Sequence, residues 1–220
     1  ADRAFDALEA VDTRLGEALQ FTAEGLGKRK REQATPVAVR RKWQDLKAAV
    51  STLTVDTSRE RHTSVIADLR TMITHSGDTS NLILDPDLDS YYLMDVTLLA
   101  LPQTQDRLGV VIQYGSDVIK RGRVTLDERT QLAVYVGMLQ EADLDRVKAS
   151  TQTSFNEDAN FYGISQTLQR NLQPALQSYV AANDAFIALI RKLSAAETPS
   201  VNAAEFQATG LKAREESFRM

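Results

Sequence analysis

An all-α fold is what this sequence predicts, and three observations predict it. Glycine (10) and proline (5) are scarce among 220 residues, and the residues that dominate (Ala, Leu, Gln, Arg, Asp, Glu) mostly favour helices. Apolar residues recur at spacings of three and four over long stretches, the period of a packed helix face. Strand-like runs bounded by turn clusters are nearly absent. At 43% hydrophobic content the chain is long enough to bury a core.

The first helix carries Phe5, Leu8, Leu15, Leu19 and Leu26 on one stripe, with Val11 and Ala18 beside it, and should run to Gln33. Thr35 and Pro36 then read as an N-cap with proline at the first helical position, where its missing N–H costs nothing. The helix that starts there bears Trp43, Leu46, Val50 and Leu53 as a seam. Its register slips afterwards, because apolar residues return at Ile66, Leu69 and Ile73 rather than at Thr57, Glu60 and Ser64. Thr57 and Glu60 form a capping box, so a break or kink is expected there, with the continuation reaching Ser80.

Pro86 biases Asp85 away from helix, which makes Ser80 to Asp95 a turn, and Asp87 or Asp89 can cap the helix that follows. That helix reaches Gly122 through Leu99, Leu108, Val111, Ile112, Val118 and Ile119, with a kink expected at Pro102. Thr125 and Glu128 form a second capping box, opening a helix that buries Leu132, Tyr135, Val136, Leu139 and Val147 and ends near Asn156. The next carries Phe161, Ile164, Leu168, Leu176, Tyr179, Phe186, Ile190 and Leu193, bent at Pro174. Asn202 and Glu205 cap the last.

The expected architecture is therefore an elongated antiparallel helical bundle over residues 1–220, with about six principal helices, several of roughly 30 residues or more and hence about 45 Å or longer. Two stacked four-helix modules sharing their longest helices would bury these stripes; a single elongated bundle is the alternative. The chain starts on Ala1 already in helical pattern and closes on Leu211 to Met220 without a glycine or proline stop. It reads as a fragment cut from within two longer helices.

Composition and missing residues exclude several function classes. A net charge of -4 with interspersed signs offers no concentrated basic surface for nucleic acid. The basic runs Lys28 to Arg31 and Arg40 to Lys42 are local and diluted by acidic residues. No cysteine is present, which removes disulfides, thiolate catalysis and Cys-ligated zinc. The longest apolar run, around Val96 to Leu101, falls far short of the roughly 20 residues that span a bilayer.

Only two histidines occur, His62 and His75. A di-iron bundle would need Glu at 59 and 72, where Arg59 and Met72 stand. Both histidines are expected on a polar helix face. Glycine loops for phosphate are missing, so no kinase or other catalytic machinery, cofactor or metal is expected within the chain. Asp85, Asp87 and Asp89 open like a calcium loop, but the sixth position is Ser90 and the twelfth Val96, where glycine and glutamate are required.

Two readings of the Ser80 to Asp95 turn stay open. Its carboxylates can cap the next helix and meet the helix dipole. Alternatively, Asn81, Asp89, Tyr91, Tyr92 and Asp95 line a polar ligand pocket, with Arg61 and Arg70 of the preceding helix offering bidentate donors to a carboxylate. Adjacent tyrosines on a helix lie about 100° apart, so one should pack inward and the other toward a cleft. Trp43 is expected as a core anchor, and Tyr114, Tyr135, Tyr162 and Tyr179 as core or module-junction residues.

The string Asn81-Leu82-Ile83-Leu84-Asp85-Pro86-Asp87-Leu88-Asp89-Ser90-Tyr91-Tyr92 resembles a segment of periplasmic helical sensor domains of bacterial histidine kinases and chemotaxis receptors. The string covers under a tenth of the chain. The helix count is similar to the helical bimodular sensor architecture. The resemblance implies an extracytoplasmic, periplasmic ligand-sensing domain of an inner-membrane receptor, first of all a sensor histidine kinase and alternatively a chemotaxis receptor. It implies flanking transmembrane helices and a cytoplasmic output domain outside the chain, a homodimer, and a small polar ligand such as an organic acid. A helical protein-interaction or scaffolding module without small-molecule ligand is the competing class.

Overall fold

The computed structural model describes residues 2–160 and 163–220, and the fold is all-α, with no strand among the described residues. Phe161 and Tyr162, expected on buried faces, lie outside the described residues. The chain forms two compact units, Ala1–Leu84 and Asp85–Met220.

In the first unit, α1 (Asp2–Leu15), α2 (Ala23–Gly27), α3 (Pro36–Ala49) and α4 (Val55–Thr79) surround a core of Phe5, Ala34, Val39, Leu46, Val65 and Met72. Charged contacts set the pairing. Asp2 accepts from Trp43 Nε1 at 3.0 Å and from Lys47 at 2.5 Å, while Arg40 reaches Asp6 at 2.7 Å and Glu9 at 2.5 Å, so α1 and α3 run antiparallel. Lys42 ties α3 to Asp68 and Ser64 of α4. The basic runs are thus spent largely on intramolecular ion pairs, Arg31 with Asp78 included.

The single first helix expected to Gln33 is broken. Although Leu19 and Leu26 keep the apolar spacing, α1 stops at Leu15, Gln20 turns back at φ 54°, and the Thr22 side chain caps α2 by accepting from Gly25 N at 3.0 Å. A glycine and a cap residue end a helix that periodicity alone would continue. The break expected near Thr57 is present, three residues earlier: Thr54 is the N-cap of α4 and accepts from Thr57 N. Thr35 caps α3 with Pro36 at its start.

The second unit contains four helical rods around one core. The first rod is α5 (Leu88–Asp95), a π-helical turn (Val96–Ala100) and α6 (Leu101–Arg121); the second is α7 (Leu126–Gly137), a π-helical segment (Met138–Asp145) and α8 (Arg146–Glu157). The third and fourth are α9 (Leu168–Ser194) and α10 (Ala203–Arg219). The rods alternate in direction: α5 packs on α8, α7 on α9, and α10 on both α6 and α9. Leu108, Val111, Leu132, Leu139, Phe186, Ile190 and Phe206 are among the buried residues at their centre.

Capping and packing explain the ends. Thr125 and Glu128 make the reciprocal capping box of α7, Asn202 caps α10, and Gly122 closes α6 in the left-handed region at φ 74°. Gly115 lets Phe206 approach so closely that a methyl there would stand 2.3 Å from the ring. At Pro102 the expected irregularity takes the form of the π turn just before it, in which Leu101 N donates to Val96 O. A proline cannot donate to the carbonyl four residues back, and the extra residue absorbs the mismatch. Ile164 precedes α9 and is exposed, so that helix starts at Leu168, later than its stripe suggested.

No helix runs through both units, since α4 ends at Thr79 and α5 begins at Leu88. The expected sharing of long helices between stacked modules is therefore not found; the helices are more numerous than foreseen, while the rods Leu88–Arg121 and Leu126–Glu157 have the expected length.

Candidate functional site

Of the seven residues proposed from sequence, the structure brings one into a buried polar centre. Arg61 is exposed and Arg70 half-buried on α4; nine residues apart, they project from opposite sides of the helix. Asn81 is exposed at φ 61°. Asp89 is half-buried, and its Oδ1 accepts from the adjacent Ser90 N at 2.7 Å. Asp87 occupies the N-cap position of α5 without a side-chain capping bond, while its own N–H donates to Asp85 Oδ1 at 3.1 Å. Tyr91 is exposed and Tyr92 half-buried, and their rings meet edge to face at 5.5 Å.

Asp95, at the end of α5, is different. It receives two bonds from Arg146, from Nη2 at 2.5 Å and Nε at 3.1 Å, a bidentate pairing across the first two rods. Charge-assisted, planar and double, this is among the strong hydrogen-bonded pairs available to a protein. Beside it on the same rods lies a second pair, Arg107 of α6 with Asp143 of the π segment, Nη1 to Oδ2 at 2.6 Å. Asp95 and Arg107 bracket the first π-helical segment, while Asp143 lies within the second and Arg146 follows it; π-helical turns occur disproportionately at functional sites.

The second pair is the more costly. Asp143 is 1% exposed and Arg107 12%, so the pair is almost wholly withdrawn from water and the Arg107 contact is the main compensation of the carboxylate. Thr104 lies beside it but spends its single hydroxyl hydrogen on Ala100 O at 2.9 Å. The Tyr179 hydroxyl from α9 is buried without a partner in the same region. Burial pushes the Asp143 carboxyl above its ordinary range against the pull of Arg107, and pushes the Tyr179 phenol up as well. Desolvation outweighs the ion pair at Asp143.

A polar strip continues along α8, where Ser150, Thr151 and Ser154 are buried, and beyond its end to Asp158, whose Oδ1 accepts from Ser165 N at 3.1 Å. Among the described residues, no group of His, Asp or Glu side chains is arranged to hold a metal ion.

Sequence reading missed Arg107, Asp143 and Arg146, and read Tyr179 as core. Arg107 and Asp143 look like ordinary helical charges; the one available signal is that each sits beside residues of the buried stripe, Arg107 before Leu108 and Asp143 before Leu144. His75 also departs from expectation. Rather than facing solvent it is fully buried, its Nε2 donating to Gln20 O at 3.0 Å and its ring packed on Phe21, with Nδ1 unpartnered. That burial lowers its pKa. His62 is exposed, as expected.

No family model, curated protein or solved structure matches the chain. No described helix is long and apolar enough to cross a membrane.

Proposed function

We propose that this chain is the extracytoplasmic ligand-sensing domain of a bacterial transmembrane receptor, in the first place a sensor histidine kinase. The observation that carries the reading is Asp95. It stands three residues beyond the sensor-like string, on the helix that the string opens, and its bidentate bond to Arg146 leads into the buried Arg107–Asp143 centre.

Such a centre suits a relay. A buried ion pair contributes little net stability and is a poor reason for a core to exist, whereas it divides two packings sharply, because each broken pair leaves a charge uncompensated. A ligand favouring one arrangement of the rods shifts their balance only by its differential affinity for the two. Sliding or rotation of packed helices would then carry the change to membrane-spanning helices outside these residues. The guanidinium of Arg146, 38% exposed beside Asp95, makes a small organic acid that competes with that carboxylate the fitting ligand class.

The test is a thermal-shift panel of organic acids, amino acids and amines on the whole chain. A ligand at 100 times its dissociation constant adds about 2.7 kcal/mol, or roughly 5–10 °C for a protein of this size. The proposal expects such a shift from at least one organic acid, and its loss in Arg146→Met. A panel without any shift, or a shift untouched by Arg146→Met, contradicts it.

A further inference from the structure

We infer that Asp143 is a proton-binding site that sets the two π-helical segments: neutral, its carboxyl stays buried between the rods, and ionised, it favours their loosening. This stands apart from the receptor reading and needs no ligand other than a proton.

Geometry carries the inference. An ionised carboxylate has only acceptor positions, and at Asp143 both oxygens are buried, with the Arg107 guanidinium as the charged donor beside them. The charge contact with Arg107 Nη1 at 2.6 Å is its compensation. A neutral carboxyl instead has one O–H to donate, and Thr104 Oγ1 beside it, whose hydrogen is turned to Ala100 O, can accept it, while Arg107, relieved of its counter-charge, keeps Met138 O as an acceptor at 3.4 Å. Asp143 lies within the second π segment and Thr104 follows the first, four residues after Ala100. Widened turns of this kind occur frequently at functional sites.

The direction follows from linkage. When the segments loosen, Asp143 reaches water and regains an ordinary carboxylate affinity for protons; buried, it holds its proton more tightly. The buried arrangement therefore binds more protons and is favoured by acid, and the loosened one is favoured as pH rises through the titration of buried Asp143.

The charged neighbours are accounted for. Asp95 and Arg107 face the centre from the first rod, Arg146 from the second and Tyr179 from α9. Glu141 and Asp145 are exposed, and Glu216 of α10 is paired with Arg219 at 2.8 Å. Both histidines belong to the first unit, so no imidazole titrates in the second.

The experiment is residue-resolved amide hydrogen exchange on the whole chain across about pH 4 to 8, corrected for intrinsic rates. Protection of 96–100 and 138–145 is compared with that of α9 and α10. In the unaltered protein, protection of both π segments should fall as pH rises, by up to about tenfold per pH unit for a single linked proton, and level off at either end. Asp143→Asn should hold the acid-side protection at every pH. The charge-free pair Arg107→Met with Asp143→Leu, which keeps the core filled, should be equally pH-independent and serves if the single variant does not fold. Protection in the unaltered protein that ignores pH, or variants that follow its pH dependence, overturns the inference.

Discussion

Replacing Arg107 with methionine separates a buried charge pair from a surface one. Methionine keeps most of the apolar stem, so the main loss is the guanidinium. At the surface such a loss costs about 0–1 kcal/mol. Here the partner left behind is 1% exposed, so stranding its charge in the core should cost about 3–5 kcal/mol. At about 3 °C per kcal/mol for a unit of this size, Tm falls by roughly 9–15 °C. The penalty should also depend on pH. Burial already raises the Asp143 pKa above its ordinary value, and removing the principal opposing charge raises it further. The deficit is therefore full at about pH 8 and shrinks as acid neutralises Asp143. Urea unfolding followed by far-UV circular dichroism at about pH 8 and pH 5 reads both quantities. A deficit under about 1 kcal/mol, or one equal at the two pH values, refutes the reasoning.

Further predictions concern each unit by itself. In the first, His75 has its pKa lowered below the usual 6.5 by burial; its neutral form belongs to the folded state, so stability is present above about pH 6.5 and is lost as pH falls below it. The fluorescence of Trp43, the one tryptophan, reports this unit, and its urea midpoint should drop between about pH 8 and 5.5 in the unaltered protein but not in His75→Gln. Parallel curves would contradict this. In the second unit, Gly115→Ala meets the Phe206 ring and should cost about 1–3 kcal/mol. By contrast, Gly109→Ala, with nothing within 4 Å of the new methyl, should gain up to about 1 kcal/mol of helix propensity. Equal effects from the two glycines would show that contact with Phe206 does not govern the first.

Local signals in the sequence were read more reliably than long-range ones. Thr35 with Pro36, Thr125 with Glu128, and Asn202 fix helix starts by bonds spanning two or three residues, so their meaning is carried by the neighbouring chain. The break after Leu15 was hidden because Leu19 and Leu26 keep the apolar spacing while the chain turns at Gln20. Division at Leu84 and Asp85 falls within the sensor-like string, which reads as one motif but contributes to two units.

The polar centre was the hardest feature to read. Asp143 and Arg107 are 36 residues apart, and an isolated charge on a helix is ordinarily a solvated one. Only when the second rod folds back along the first does its π segment place Asp143 inside the core against Arg107. Tyr179 carries the same lesson, since a tyrosine on an apolar stripe reads as packing until its hydroxyl is found without a partner. His75 was misread because its partner, Gln20 O, is a backbone atom in a turn that the spacing did not foretell.

On the proposal above, the Asp95, Arg107, Asp143 and Arg146 centre is where this protein responds to a small molecule. Its most direct test is an NMR titration of the isotopically labelled chain with the organic acid that gives the largest thermal shift in the panel. Amide shifts concentrated in 95–107 and 138–147 are the predicted result. Shifts that leave those two segments unmoved while others respond would contradict it.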